Sequence, residues 1–314
     1  MRYTTVLLAF FTLACSKTES PSQATPETKA GAESEVGAAP APEADPQRIW
    51  VEPPTVELIA KGKPPLRKIR WSFQEGAKEV MVLTTTQAFE MKGGGWDGRK
   101  VPTGIAQTID FTTKVVSADG TAEVIFHVRE AVELETPDAN SAAMLNAKDW
   151  TGTYKVDSKG VIQDLLLVPS ADTIYKPIQM PALNNALRWS VFPVPDEPIG
   201  VGAKWTVTQV VHEEEIPMTV RTAIELVELD GSDMVLRVEI KGGGAKHLNV
   251  GGQQQTISME SYVHDLAKLS LTKLVPRSSE YENHTVQTVN VAGVQGPMGR
   301  LDVIIDRKVM VKSD

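Results

Sequence analysis

Apolar and polar residues alternate with period two on both sides of an Asp-Gly pair, and the chain does this twice. Ile109, Phe111, Thr113 and Val115 share one face before Asp119-Gly120, and Ala122, Val124, Phe126 and Val128 share one face after it. Val220, Thr222, Ile224 and Leu226 lead to Asp230-Gly231, and Met234, Leu236, Val238 and Ile240 lead away. Successive side chains of a strand point to opposite faces of a sheet, so this spacing gathers the apolar set on one buried face. Glycine accepts the positive φ that a tight turn requires, so each Asp-Gly joins its two runs as an antiparallel hairpin. A chain patterned this way is confined to sheet architecture.

The surroundings of the two hairpins match as well. Phe73-Gln74-Glu75-Gly76-Ala77-Lys78 precedes the first and Ile199-Gly200-Val201-Gly202-Ala203-Lys204 the second; Tyr154/Asp157 and Tyr262/Asp265 follow them. Three matches in one order predict an internal duplication, with repeats over 67–170 and 199–280. Between them Leu183, Ala186, Leu187 and Val191 recur at helical spacing after Pro181 and before Pro193 and Pro195, which predicts a connecting helix over 181–191. A weaker helical pattern covers 138–147, with Asp138 as its cap. The expected fold is mainly β: an antiparallel sheet domain over 49–314, built as a duplicated hairpin-rich unit with one connecting helix. The halves would pair across one core or continue one curved sheet.

The N-terminus carries an address. Arg2 precedes a short apolar run, Val6 to Phe11, and Thr12-Leu13-Ala14 leads to Cys15, the only cysteine in the chain. A basic start, an apolar stretch too short to span a bilayer and small residues before a cut describe a secretory signal over 1–14. The arrangement resembles the lipobox of bacterial lipoproteins, with Thr12 where Leu is usual. That resemblance implies a diacylglyceryl group on the Cys15 sulfur and a palmitate-bearing anchor held in the membrane by two or three chains. Ser16, rather than Asp, after the cysteine implies outer-membrane sorting, facing the periplasm or the cell surface. From Ser16 to Arg48 there is no aromatic residue, leucine or isoleucine, so 15–48 reads as a lipidated cysteine followed by a disordered tether. The net charge of -8 divides into +1 for the signal, -3 for the tether and -6 for the domain. An acidic domain has no electrostatic basis for binding nucleic acid.

After the proline-rich stop comes Glu197-Pro198-Ile199-Gly200-Val201-Gly202-Ala203-Lys204-Trp205. It resembles the central motif, roughly Pro-Val-x-Val-Gly-x-x-Trp, of a family of uncharacterised bacterial lipoproteins. Ile199 stands for the usual Val and Ala203 for the usual Asp. The resemblance spans much of 65–311 and implies an architecture without a chemistry, since no activity is established for that family.

The motifs that could carry chemistry read as structural. Gly93-Gly94-Gly95-Trp96-Asp97-Gly98 fits the dinucleotide fingerprint letter by letter, but Pro102 and Gly104 follow where a helix must begin, so a hairpin loop is expected. Lys241-Gly242-Gly243-Gly244-Ala245-Lys246 lacks the P-loop spacing and reads as a loop continuing to Gly251-Gly252. Glu213-Glu214-Glu215 reads as a solvated hairpin tip. The histidines at 127, 212, 247, 264 and 284 form no close pair, so no metal site is expected, and His127 should be exposed. No nucleophile elbow is present, and no catalytic residue or cofactor is assigned. Asn283-His284-Thr285 fits the glycosylation sequon, which carries no meaning in such a bacterium. Trp71 and Trp205 are expected in the core. Trp96, set in the glycine loop, is the candidate contact residue for a protein, a glycan or a lipid surface. These readings point to a non-enzymatic binding or scaffolding module of the cell envelope. The alternatives are a carrier whose sheet curves around a lipid or other apolar ligand, and an envelope hydrolase with a spatially assembled carboxylate pair. A concave face lined by Leu, Met and Val distinguishes the first; two carboxyls facing each other distinguish the second.

Overall fold

The computed structural model describes residues 47–49, 53–93, 96–98, 101–134, 147–170, 187, 190–213, 216–250, 253–291 and 299–313. They form one antiparallel sheet of 14 strands. The first half contributes β1 (Gln47–Ile49), β2 (Thr55–Ala60), β3 (Lys78–Gly93), β4 (Trp96–Asp97), β5 (Val101–Val116), β6 (Ala122–Glu133), β7 (Thr151–Val156) and β8 (Ile162–Val168). The second contributes β9 (Lys204–Glu213), β10 (Ile216–Asp230), β11 (Asp233–Val250), β12 (Gln253–Ser270), β13 (Ser278–Val291) and β14 (Arg300–Ser313). Each half is a meander, and β3, which opens the first, pairs with β14, which closes the second.

The two predicted strand openings share a pattern of single bonds. The Gly76 N–H donates to the Thr113 carbonyl (2.9 Å) and the Thr113 N–H to the Ala77 carbonyl (3.0 Å). In the second half the Gly202 N–H donates to Leu226 (2.7 Å) and the Leu226 N–H to Ala203 (2.9 Å). A β-bulge follows each pinned residue, between Thr113 and Val115 and between Leu226 and Glu228. The Asp-Gly hairpin then turns the chain into β6 and into β11, with Gly120 at φ 85° and Gly231 at φ 55°. Gly76 and Gly202 also hold positive φ, 75° and 85°, with open space around both, so the backbone alone demands glycine there. The third match does not hold. Tyr154 faces Val124 near the start of β6 and is fully buried, whereas Tyr262 faces Lys241 in the middle of β11 and is exposed.

The sheet curls on itself. Its path begins with β1 paired to β8 and ends with β2 paired to β9. Only residues 50–54 separate β1 from β2, and such a link spans at most about 20 Å, so the two ends of the path meet. Among the described residues β8 and β9 are not paired with each other. The seam between them is crossed by the chain that joins the halves: the Trp71 indole donates to the Phe192 carbonyl (3.1 Å) and the Trp205 indole to the Pro193 carbonyl (2.9 Å). Both tryptophans are buried, as their positions in the strand openings led one to expect.

Apolar phases point inward. Met81, Leu83, Ile109, Phe111, Phe126, Leu167, Leu226, Leu236 and Leu269 are almost fully buried in one continuous core. Each such side chain contributes roughly 1.5–3 kcal/mol by leaving water. The opposite phases carry exposed ion pairs, including Lys308–Glu280 at 2.6 Å, His284–Asp306 at 2.7 Å and Arg237–Glu225 at 2.8 Å. A charged exterior around an apolar interior is the reverse of a lipid-facing barrel.

Three expectations need correction. Among the described residues no connecting helix is seen: Leu187 alone has helical backbone, Ser190 and Val191 lie in bends, and the rest of 181–191 lies outside the described residues. The 138–147 pattern also lies outside them, except for Ala147, which is not helical. Lys241 to Lys246 is not a loop but the middle of β11, paired with β12 along its length and with β10 as far as Gly244. The glycines fit there because β10 presses close: a Cβ on Gly244 would collide with the Pro217 carbonyl. Finally, β1 takes in Gln47 and Arg48, which composition placed in the tether, and the second meander runs on past 280 through β14.

Candidate functional site

Register pairing stacks the inner face of the second half into rows that cross the strands. Val207, Thr222, Ile240, Val263 and Asn283 are successive partners in β9 to β13. The next row holds Gln209, Val220, Gly242, Ser261 and Thr285, and the one beyond it Val211, Met218, Gly244 and Met259. The first row belongs to the main core, while Val211, Met218 and Met259 form a small separate apolar cluster. Between the two lies a cavity of about 110 Å³. Its far wall comes from Ile162 to Leu165 of β8, from Phe192-Pro193 and from Pro54, so it opens along the seam.

Three features create this space. Gly242 projects no side chain, and a Cβ there would come within 3.2 Å of the Met218 methyl. Met218 itself is flexible and polarizable, a side chain that can reshape a cavity wall. On the opposite side Asp164 takes φ 52°, a conformation that Asp tolerates better than most residues, and its carboxylate turns to Lys155 at 3.4 Å. It is the single ionisable side chain of the lining among the described residues.

The polar groups of the wall cluster on β12 and β13. Asn283 is 6% exposed, and its Oδ1 accepts from the Thr285 hydroxyl (2.7 Å) and the Ser261 hydroxyl (3.3 Å). The Thr285 and Ser261 hydroxyls stand 3.3 Å apart. One row deeper lies Asp265. Its Oδ2 accepts from the Ser279 hydroxyl at 2.7 Å, while its Oδ1 is buried without a partner. Burial pushes its pKa up to about 6, against the downward pull of the Ser279 hydrogen bond.

The candidates drawn from sequence patterns fall elsewhere in the fold or outside the described residues. Cys15 and the 1–46 stretch lie outside, as do residue 189 and the Gly251-Gly252 pair. Trp96 has strand backbone, pairing with Gly93 in a tight β3–β4 hairpin; its side chain lies outside what is described. Of the dinucleotide fingerprint, Gly93, Trp96 and Asp97 have strand backbone, Gly94-Gly95 lies outside the described residues, and β5 follows where a helix would be needed. Glu213 pairs with Ile216, and the rest of the acidic run, Glu214 and Glu215, lies outside the described residues. His127 is half-exposed and 3.8 Å from Asp149. Among the described residues no group of three or more His, Cys, Asp or Glu could hold a metal ion, and no helix is long and apolar enough to cross a membrane.

The cavity residues Met218, Gly242, Ser261 and Asn283 were missed by sequence reasoning. A signal was present: in Tyr281-x-Asn283-x-Thr285 polar side chains occupy the phase that elsewhere turns apolar residues inward. Comparison of the chain with protein-family models, with curated proteins and with solved structures finds no match.

Proposed function

We propose that this domain is a non-enzymatic carrier that holds an apolar or amphipathic ligand inside the curl of its sheet, tethered to the bacterial cell envelope through lipid on Cys15. The observation that carries the reading is the cavity between the two apolar clusters, walled by Val207, Val211, Met218, Ile240 and Val263. Apolar walls with a few neutral polar groups are the usual make-up of small-molecule sites. A volume of about 110 Å³ is somewhat below the roughly 150 Å³ that admits benzene, so it suits a small apolar group or one end of an acyl chain. Among the described residues the lining holds one carboxylate and no second acid or base to oppose it, an arrangement suited to binding rather than hydrolysis. The anchor rests on the signal at 1–14, and the 15–48 tether would let the seam face the membrane from the periplasmic or surface side of the outer membrane.

The test uses the full chain carrying Cys15→Ser, free of detergent, with an environment-sensitive naphthylamine dye as probe. Wild-type sequence in the domain should bind the dye with enhanced fluorescence, and fatty-chain compounds should displace it. Gly242→Leu, which fills the cavity, should weaken dye binding at least tenfold while the fold melts within a few degrees of the parent. Unchanged dye binding in Gly242→Leu, or none in the parent, would overturn the carrier reading.

A further inference from the structure

Resting on that reading, we infer that the carried ligand has an uncharged head that accepts hydrogen bonds (an ester, amide or hydroxyl) and that this head docks on Asn283. Asn283 lines the cavity and is more than nine-tenths buried. Its acceptor end is occupied by the hydroxyls of Ser261 and Thr285, at 3.3 and 2.7 Å. That leaves the donor end, Nδ2, to meet a hydrogen-bond acceptor brought by a ligand. Two flanking hydroxyls hold the amide in place, so the site is organised before anything binds.

Charge decides the class of head. Among the described residues the lining holds no Lys, Arg or His, and its one carboxylate, Asp164, already stands 3.4 Å from Lys155 at the exposed rim. An anionic head would enter an apolar wall without a counter-charge, and a cationic head would find its only partner taken. A cation outside the lining, Arg307, faces Asn283 across the β13–β14 pair. Its Nε donates to Gln87 Oε1 at 3.2 Å, on the side away from the cavity. The remaining polar lining among the described residues, Gln163, Gln209 and Thr222, is neutral as well.

Displacement of the same dye from the full Cys15→Ser chain separates the possibilities, using three ligands with equal twelve-carbon chains: a monoacylglycerol, a fatty acid at pH 8 and a primary amine. The monoacylglycerol should bind at least tenfold tighter than the other two, about the value of one hydrogen bond to an otherwise unpaired donor. Asn283→Leu should lower monoacylglycerol affinity by about tenfold and leave dye affinity within twofold. The ligand ranking on the parent chain stands even where Asn283→Leu folds poorly. A fatty acid that binds as tightly as the monoacylglycerol, and loses affinity in Arg307→Met, would overturn the inference in favour of an anionic head. Equal binding of all three, indifferent to Asn283→Leu, would overturn it while leaving the carrier reading intact. Failure of the dye and all three ligands to bind would bring down both.

Discussion

Replacing Asp265 by Asn should change how stability depends on pH, by an amount that follows from the burial of one carboxyl. Asp265 lies under the cavity floor with Oδ1 unpartnered, and burial pushes its pKa from 3.8 up to about 6. Below about pH 4 the folded and unfolded chains both hold the proton, so the residue contributes nothing to the pH dependence. Between about pH 4 and 6 the unfolded chain releases its proton first, and the folded state loses ground as pH rises through this window. Above about pH 6 the loss is complete. The gap between 3.8 and about 6, at about 1.4 kcal/mol per pH unit, amounts to about 3 kcal/mol. Asn cannot ionise, so the stability difference between Asp265→Asn and the parent should grow in favour of Asn by about 3 kcal/mol from pH 4 to pH 7.5. Any constant offset from placing an amide beside Ser279 cancels in that change. Lowered carboxylates elsewhere, such as Asp196 beside Lys159 and Glu280 beside Lys308, pull the other way in both proteins and cancel too. Urea unfolding at four or five pH values measures the difference. A flat difference across the window would refute the idea that a desolvated carboxylate sits there.

Within β11 the two glycines should behave oppositely. Gly244→Ala, whose Cβ meets the Pro217 carbonyl, should cost about 1–3 kcal/mol, while Gly243→Ala, with its nearest neighbour 3.8 Å away, should stay within about 0.5 kcal/mol by the same urea assay. Gly76→Ala and Gly202→Ala should each cost about 1–2 kcal/mol, since both meet only backbone strain; a large disparity would show that the two openings are not equivalent. Metabolic labelling with a palmitate analogue should mark the parent and fail on Cys15→Ser, and a variant that still labels and still partitions with membranes would refute the lipid anchor.

The hairpins at Asp119-Gly120 and Asp230-Gly231 were legible because everything that defines them is local: a period of two, a glycine, a return. The strand openings at Gly76 and Gly202 were legible for the same reason, although the bonds to Thr113 and Leu226 that make them equivalent were not. Lys241 to Lys246 was misread because glycine is a poor strand former on its own. Neighbours on both sides hold that segment extended, and close approach of Pro217 turns the missing side chains into a requirement. The cavity was hidden for a further reason. Met218, Gly242 and Ser261 come together only once two registers are known, and a shift of one residue in either would have turned a partner outward. Asn283 showed a polar side chain on an inward phase, but the sequon around it drew attention to the wrong chemistry.

Three residues, Gln47–Ile49, cover the free side of β8, and among the described residues nothing longer pairs with Leu165 to Leu167 on that side. In effect the molecule donates a strand to itself, and the donated piece is the last part of the chain before the expected tether reaches the folded body. Clipping between β1 and β2 would leave β8 as an uncapped template, and trimmed molecules would add strands to one another. Where many copies stand on one membrane, an intact neighbour's β1 could fill the same place. Exchange of so short a segment would link adjacent molecules without disturbing either interior.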